Sequence, residues 1–270
     1  MNTQTIDASS NVTSSMTTTS TMTINRTLRA YCVEMKYELL RFIRTPACVV
    51  PMLLLPVFLY VLIGLLVVGP KVMEDPKLPA FLFAAFAIFA ISSPGMYGLG
   101  QAFAIERQSG VLTLKRTQPM PPASYLVAKI ASSLICVTVV MSVLLWLATS
   151  FGHVTLNATQ VVQLGATSLL GMAMFCAMGL FVGSLVSGTA APGVVNLIYF
   201  PMIYLSGTFF PLPAAIAPWA MIWPSFYVDQ IFFAITLKQN VISVPMCIAV
   251  IVGLTVLFSG LAARRLARVN

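Results

Sequence analysis

Charged side chains are scarce in this chain: Asp, Glu, Lys and Arg make up 8% of its 270 residues, and 59% are hydrophobic. A soluble globule of this size needs more polar side chains than this to cover its surface. The composition therefore excludes an ordinary soluble protein and predicts an integral membrane protein.

The residue patterns of several catalytic and metal sites are also missing. With His153 as the one histidine, an H-E-x-x-H zinc site is impossible, and Ser206-Gly207 lacks the G-x-S-x form of a rhomboid-like serine protease. The five cysteines have no C-x-x-C spacing and are interpreted as packing residues. No G-x-x-x-x-G-K-[ST] loop occurs. We therefore expect no catalytic, metal-binding or cofactor-binding residues in this chain.

Six apolar runs, each free of charge in its central part, reach the length of about 20 residues that a helix needs to cross the hydrocarbon core. They are continuously apolar and do not alternate, so helices are expected and barrel strands are not. The predicted spans are residues 47–68, 78–105, 126–150, 161–186, 189–210 and 241–263. The sequence thus predicts an all-α membrane protein with six transmembrane helices in one domain, residues 46–270.

Lysine and arginine divide unevenly between the two sides of these spans. With the N-terminus inside, twelve fall on the cytoplasmic side, and Lys71, Lys77 and Lys238 fall outside. Because cytoplasmic loops carry the excess of basic residues, both termini are predicted to face the cytoplasm. The net charge of +8 then reflects topology and contact with anionic lipid, and nucleic acid is not expected as a partner.

Two segments precede the first span. Residues 1–23 are rich in Ser and Thr and predict a disordered tail. Residues 24–45 repeat apolar positions every three or four residues, which predicts an amphipathic helix along the cytoplasmic interface. Its basic residues expected near lipid headgroups are Arg29, Lys36, Arg41 and Arg44. The helix could serve as a lipid anchor alone or also contact a cytoplasmic partner.

A polar segment, residues 106–129, separates the second and third spans. Ser109 is a candidate N-cap for a helix of about two turns from Val111 to Thr117, with Lys115 and Arg116 near its C-terminus, and three prolines follow. The pattern predicts a short helix beneath the membrane. It could be a structural loop or the place where another protein pushes on the membrane domain.

The apolar stretch from Pro211 to Asn240 is broken by four prolines into pieces too short to span. It predicts a short re-entrant hairpin that enters from the outside between spans five and six and covers the external end of a pathway. The alternative is a surface loop with Trp219 and Trp223 at the interface.

Polar side chains within the spans are few: Ser92, Ser93, Tyr97, Gln101, Asn196 and Tyr199. They could satisfy carbonyl groups freed by Pro94 and Pro201, or line a transport route. No charged residue is expected at mid-membrane depth, which disfavours a proton- or sodium-driven mechanism. Gly179 and Gly183 form a G-x-x-x-G pattern that fits close helix packing, either within the subunit or between two copies.

Two motifs resemble one family. The segment from Glu106 to Met120, ERQSGVLTLKRTQPM, is similar to the E-R-E-S-G-T-L-E-x-L-x-x-T-P-L loop in the membrane subunits of ABC-2 type transporters. A second stretch, LSGTFFP from Leu205, followed by Pro218-Trp219 and the PSFY segment at 224–227, resembles that family's S-G-x-x-F-P…P-W…P-x-x-Y pattern. The family often has a basic or Gln residue further on, near the place where this chain has Phe233.

The resemblance implies the membrane subunit of an ATP-driven exporter in the bacterial cytoplasmic membrane. ATP and Mg²⁺ would be bound by a separate ABC ATPase subunit, and a second copy of the chain would complete a homodimer. The residues that would couple the chain to the ATPase are Glu106, Arg107, Gln108, Ser109, Gly110, Leu112, Thr113, Lys115 and Arg116.

The expected cargo follows from the absence of charged residues in the interior of the spans. Such spans suit a hydrophobic or amphipathic substrate, as in a multidrug, natural-product or lipid exporter. A polysaccharide or glycolipid exporter stays open through the aromatic residues Tyr60, Tyr97, Tyr199 and Tyr204. A secondary transporter or channel is a further alternative.

Overall fold

The computed structural model describes residues 24–44, 53–67, 75, 77–116, 124–210 and 217–269. The predicted tail, residues 1–23, lies outside these ranges. Within them, every regular element is helical. The helices are α1 (Ile24–Arg44), α2 (Leu55–Val67), α3 (Leu78–Gln108), α4 (Val111–Arg116), α5 (Ser124–Ser150), α6 (Ala158–Leu185), α7 (Ala191–Leu205), α8 (Pro224–Thr236) and α9 (Val244–Val269), with a 3₁₀ turn at Ala217–Ile222.

Four of these helices are long and apolar enough to cross a membrane. Their spanning parts are Leu78–Gln108, Tyr125–Ser150, Ala158–Leu185 and Val244–Leu266. They coincide with the second, third, fourth and sixth predicted spans, so the prediction of an all-helical membrane protein with several spans is confirmed. The α3 and α6 helices are mostly buried, whereas α5 and α9 expose most of their apolar surface, as helices that contact lipid would.

The first and fifth predicted spans correspond to shorter apolar helices. The α7 helix has 15 residues, which gives a length of about 22 Å against a hydrocarbon core of about 30 Å. Beyond Leu205 the chain turns, so residues 206–210 are not a continuation of the helix. For the first span, α2 ends at Val67, and residues 47–52 and 68 lie outside the described ranges. A count of six spans therefore stays a prediction.

The centre of the fold is the contact between α3 and α6. Between Pro94 and Gln101, α3 widens into π-helical turns, next to a proline that cannot donate a backbone hydrogen bond. Here Gly95 and Gly100 lie directly against the backbone of α6. A Cβ atom on Gly100 would lie 2.7 Å from the Gly179 carbonyl oxygen, and one on Gly183 would collide with the carbonyl oxygen of Gly100. The G-x-x-x-G pattern thus packs within the chain.

The predicted hairpin region contains α8, which is packed inside the fold and is not a loop on its surface. Its buried residues include Phe226, Val228 and Phe232, and it contacts α3, α6 and α9. At the start of α6, Asn157 and Gln160 form a capping box, and Gln160 Nε2 also donates to the Ile235 carbonyl 2.7 Å away. A re-entrant path through the membrane stays a prediction.

Candidate functional site

Glu106, at the loop end of α3, lies at the centre of a buried group of charges. Only 2% of the residue is exposed. Its Oε1 lies 2.7 Å from Lys129 Nζ and 2.6 Å from an Arg41 guanidinium nitrogen, and the Tyr125 hydroxyl donates to Oε2. One carboxylate therefore meets two cations and a hydroxyl that come from α1 and α5.

Glu38 completes this group. Lys129 Nζ lies 2.9 Å from Glu38 Oε1 and also stands over the Tyr125 ring. We refer to Glu38, Arg41, Glu106, Tyr125 and Lys129 as the Glu106 cluster; it holds two carboxylates and two cations. Because buried charges are costly unless they are paired, the cluster fixes α1, α3 and α5 in one arrangement.

The neighbouring carboxylates change the pKa of Arg41. Partial burial works against its charged form, but the carboxylates of Glu106 and Glu38 outweigh that cost and raise the pKa of the guanidinium. Arg41 was predicted to face lipid headgroups, and it instead extends to Glu106. Arg29, Lys36 and Arg44 are exposed on α1, as the predicted interface helix requires.

The next two residues bind the connection between α6 and α7. Arg107 donates to the carbonyl oxygens of Ser184 and Val186, both at 2.6 Å. The side-chain oxygen of Gln108 accepts a hydrogen bond from the Thr189 backbone at 3.0 Å. The end of α3 is thereby attached to α6 and to the connection that leads to α7, as well as to α1 and α5.

Ser109 and Gly110 form the turn into α4. Ser109 was predicted as the N-cap of this short helix, but its hydroxyl donates back to the Glu106 carbonyl at 3.2 Å and closes the end of α3. Gly110 has a φ of +77°, the left-handed conformation that glycine adopts readily after a helix end. A backbone turn, and not a side-chain cap, therefore separates α3 from α4.

The α4 helix runs from Val111 to Arg116, and the predicted last residue, Thr117, lies outside the described residues. Leu112 is half-buried. The side chains of Thr113, Lys115 and Arg116 lie outside the described part of the structure, so their role in binding an ATPase stays a prediction.

The predicted route residues separate into two groups. Ser92 donates to the Ile88 carbonyl at 2.8 Å and lies 2.9 Å from the Tyr199 hydroxyl; both residues are fully buried, and Ser93 is buried beside them. These contacts agree with the internal, structural interpretation of these side chains. By contrast, the Tyr97 hydroxyl donates to the exposed Asn196 side chain at 2.6 Å. Gln101 is half-buried near the end of the widened turns.

The sequence alone does not reveal the partners of Glu106. Lys129 is one of the twelve basic residues expected on the cytoplasmic side, and Glu38 is a polar residue of the predicted amphipathic helix, residues 24–45. A usable signal was present: Lys129 lies in the first turns of an apolar helix, where a lysine needs a carboxylate nearby. The sequence did not show that Glu38, 91 residues away, is one of those carboxylates.

The comparison with known families agrees with this geometry. The sequence pattern of the ABC-2 type transporter family matches residues 29–236, a range that includes the Glu106 cluster, α4 and all of α8. Among curated proteins no match was found.

The chain belongs to the ABC-2 type transporter family. It is a multi-pass membrane protein and a transmembrane component of an ABC transporter, a class of subunit that is generally not catalytic itself and that associates with an ABC ATPase subunit.

Proposed function

We propose that this chain is the membrane subunit of an ATP-driven exporter in a bacterial cytoplasmic membrane. A separate ATPase subunit binds ATP and Mg²⁺, and the cargo is a hydrophobic or amphipathic molecule such as a drug, a natural product or a lipid. Both termini face the cytoplasm, six segments cross the bilayer, and α1 lies along the inner interface.

The attachment of the loop end of α3 supports coupling through α4. A force applied to α4 acts on Gly110 and Ser109. Directly behind them, Glu106, Arg107 and Gln108 bind three other helices, α1, α5 and α6, and the connection between α6 and α7. Because Glu106 and Lys129 are buried and paired, the connection is stiff. Movement of α4 is therefore transmitted to the membrane helices and is not absorbed in a flexible loop.

The face shared by α3 and α7 supports a transport route. Asn196 is exposed on an apolar helix, next to Leu197, which is 74% exposed. A polar amide is unfavourable against lipid tails. The Tyr97 and Asn196 pair therefore fits a face covered by a second copy of the chain, with Gln101 further along the same helix and the cargo passing between the copies.

Burial of the tyrosines favours an apolar cargo over a polysaccharide. Tyr60 and Tyr199 are 1% and 0% exposed, so neither offers a ring surface to a sugar. Tyr97 and Tyr204 are the two of the four that reach the surface of the chain. A glycan route lined by all four rings would require the core to open.

The test of coupling is charge reversal on α4. Lys115→Glu with Arg116→Glu, or deletion of residues 109–117, should abolish export and the cargo-stimulated part of ATP hydrolysis, while the membrane domain stays inserted. The assay uses the chain co-purified with its ATPase in lipid vesicles.

The matched control is Arg264→Glu with Arg265→Glu, which reverses two exposed charges at the end of α9. It should leave export and stimulated ATP hydrolysis close to those of the parent. Normal coupling in the α4 variants would refute the proposal, and failure to co-purify with any ATPase would favour a secondary transporter.

A further inference from the structure

A second buried polar group lies away from the coupling loop, where the end of α7 meets α8. Asp229 on α8 is 0% exposed. Its Oδ2 lies 2.8 Å from the Thr208 hydroxyl. The Thr208 hydroxyl lies 2.7 Å from the Ser206 hydroxyl, and the Ser206 hydroxyl lies 3.1 Å from the Ile203 carbonyl oxygen. Among the described residues, Asp229 Oδ1 has no hydrogen-bond partner.

Counting hydrogens identifies the protonation state of this row of oxygen atoms. The row contains two short oxygen–oxygen contacts, of 2.8 and 2.7 Å, and a longer one of 3.1 Å, and each of the three hydrogen bonds needs one hydrogen. The hydroxyls of Ser206 and Thr208 supply two, and the Ile203 carbonyl supplies none. If the Asp229 carboxyl carries the third, it donates to Thr208, Thr208 donates to Ser206, and Ser206 donates to Ile203.

An ionised carboxylate fits the same place poorly. One of the three contacts would lack a hydrogen. A charged oxygen, Oδ1, would also be buried with no hydrogen-bond partner among the described residues, which costs far more than burying a neutral carbonyl oxygen. Burial raises the pKa of the Asp229 carboxyl well above its ordinary value and outweighs the opposing effect of the nearby hydroxyls of Thr208 and Ser206.

Charged groups near α8 do not offset this cost. Lys77 and Lys238 are exposed in the turns before α3 and after α8, and Glu106, Arg107, Arg264 and Arg265 lie at the far ends of α3 and α9. The other titratable groups on α8 and the helices packed against it are neutral thiols and phenols: Tyr97, Cys176, Tyr199, Tyr204, Tyr227 and Cys247. In the described ranges, none of these groups bonds to Asp229.

We propose that Asp229 is a proton-binding site, a neutral carboxylic acid whose proton completes a relay from Asp229 through Thr208 and Ser206 to Ile203. The relay ties the turn at the end of α7, Ser206 to Thr208, to α8. This inference goes beyond the proposed transport function and does not depend on it.

The proton makes this contact sensitive to water. If the turn lifts from α8 and water reaches the carboxyl, the pKa falls back to its ordinary range and the proton leaves. Opening at this end therefore releases one proton and is favoured as the pH there rises, by up to tenfold in the equilibrium constant for each pH unit.

The direct test is infrared spectroscopy of the purified membrane protein in lipid at neutral pH. The spectrum of the parent minus that of Asp229→Asn should contain the carbonyl stretch of a protonated carboxylic acid, shifted in D₂O. Asp75→Asn, which removes an exposed carboxylate, should leave that band in place. If Asp229→Asn does not fold, Thr208→Val should move the band to higher frequency, because it removes the hydrogen-bond acceptor.

A thermal melt gives an independent reading. Above the ordinary aspartate pKa, the folded parent holds a proton that the unfolded chain has lost, so its stability falls as pH rises. The stability of the Asp229→Asn variant does not fall in this way. The ratio of the parent's unfolding equilibrium constant to that of the variant should therefore grow about tenfold per pH unit. Absence of the infrared band would overturn the proposal. If the melting temperature rises with sodium in the parent but not in Asp229→Asn, the proposal is wrong and the site binds a metal cation in place of the proton.

Discussion

At the scale of single residues, Glu106 belongs both to the family-like loop and to the buried charge cluster. In the sequence it is the first residue of the family-like loop, which led to the prediction that it contacts a partner. In the structure it faces inward and shares the buried Lys129 ammonium with Glu38. The motif therefore includes the residue that attaches the loop to the membrane domain.

Removing one charge from the Glu106 cluster should destabilise the protein. Glu106→Gln keeps the shape of the side chain but leaves Lys129, with a side chain 4% exposed, facing only Glu38. Breaking a buried ion pair from one side costs about 3–5 kcal/mol when the remaining charge is left without a partner, and we expect a loss below that range because Lys129 keeps Glu38. Arg41→Gln should cost much less, because half of the Arg41 side chain is in solvent. Thermal melts in detergent measure both.

A double variant checks that charge, and not side-chain shape, is responsible. Glu106→Gln with Lys129→Met removes one charge of each sign, so its loss of stability should be clearly smaller than the sum of the two single losses. Additive losses would show that Glu106 and Lys129 do not interact energetically.

At the scale of helices, the contact between α3 and α6 depends on the widened turns in α3. On a regular helix, residues five apart point in different directions, whereas π-helical turns bring positions separated by five onto the same side. Gly95 and Gly100, five apart, can then face Gly179 and Gly183, four apart on a regular helix. A search for G-x-x-x-G detects the second pair and misses the first.

Adding one methyl group at this contact should separate the two helices. A Cβ atom on Gly179 would collide with the Gly95 carbonyl, and backbone atoms cannot move aside as a flexible side chain can. We expect Gly179→Ala to lower stability by about 1–3 kcal/mol, as overpacking does. Melting temperatures of the purified variants measure the effect.

The same helix provides a control for that substitution. Gly165→Ala meets no atom within 4 Å and should raise stability slightly through helix propensity. Equal melting temperatures for Gly179→Ala and Gly165→Ala would contradict the role given to the close contact.

The four helices that are long enough to cross the membrane could be predicted from the sequence, because length and apolarity are local properties of the chain. The four long helices of the structure follow the predicted boundaries within a few residues, except that α9 continues to Val269. Asp229 and Lys129 were not recognised as buried, because burial of a polar group depends on distant partners such as Thr208 and Glu38. Pairings between α3, α5 and α7 are long-range contacts, and no local pattern encodes them.

At the scale of the whole molecule, polar groups mark the two ends of an apolar core. The Glu106 cluster ties α1, α3 and α5 at the loop end, and the Asp229 relay ties α7 to α8 at the other. Between them, the Ser92 and Tyr199 pair joins α3 to α7.

The proposed dimer predicts a specific cross-link. In a variant from which the native cysteines are removed, Asn196→Cys should form a disulfide-linked dimer on mild oxidation in membranes, because Asn196 lies on the face proposed for the second copy. Gel mobility without reductant measures the yield.

Val139→Cys is the matched control for the cross-link. Val139 is 55% exposed on α5, away from the α3 and α7 face, and should stay monomeric under the same conditions. Stronger cross-linking at position 139 than at 196 would move the dimer contact to α5.

The broad turns between Pro94 and Gln101 also set the rotational phase of everything that follows them in α3. Each residue of a regular helix advances the side-chain direction by about 100°. Deleting a single residue from this stretch would rotate Glu106, Arg107 and Gln108 together to another side of the helix. They would then point away from their present hydrogen-bond and ion-pair partners. The spacing of the glycines and the direction in which Glu106, Arg107 and Gln108 point therefore depend on each other, and insertions or deletions there should be far less tolerated than substitutions.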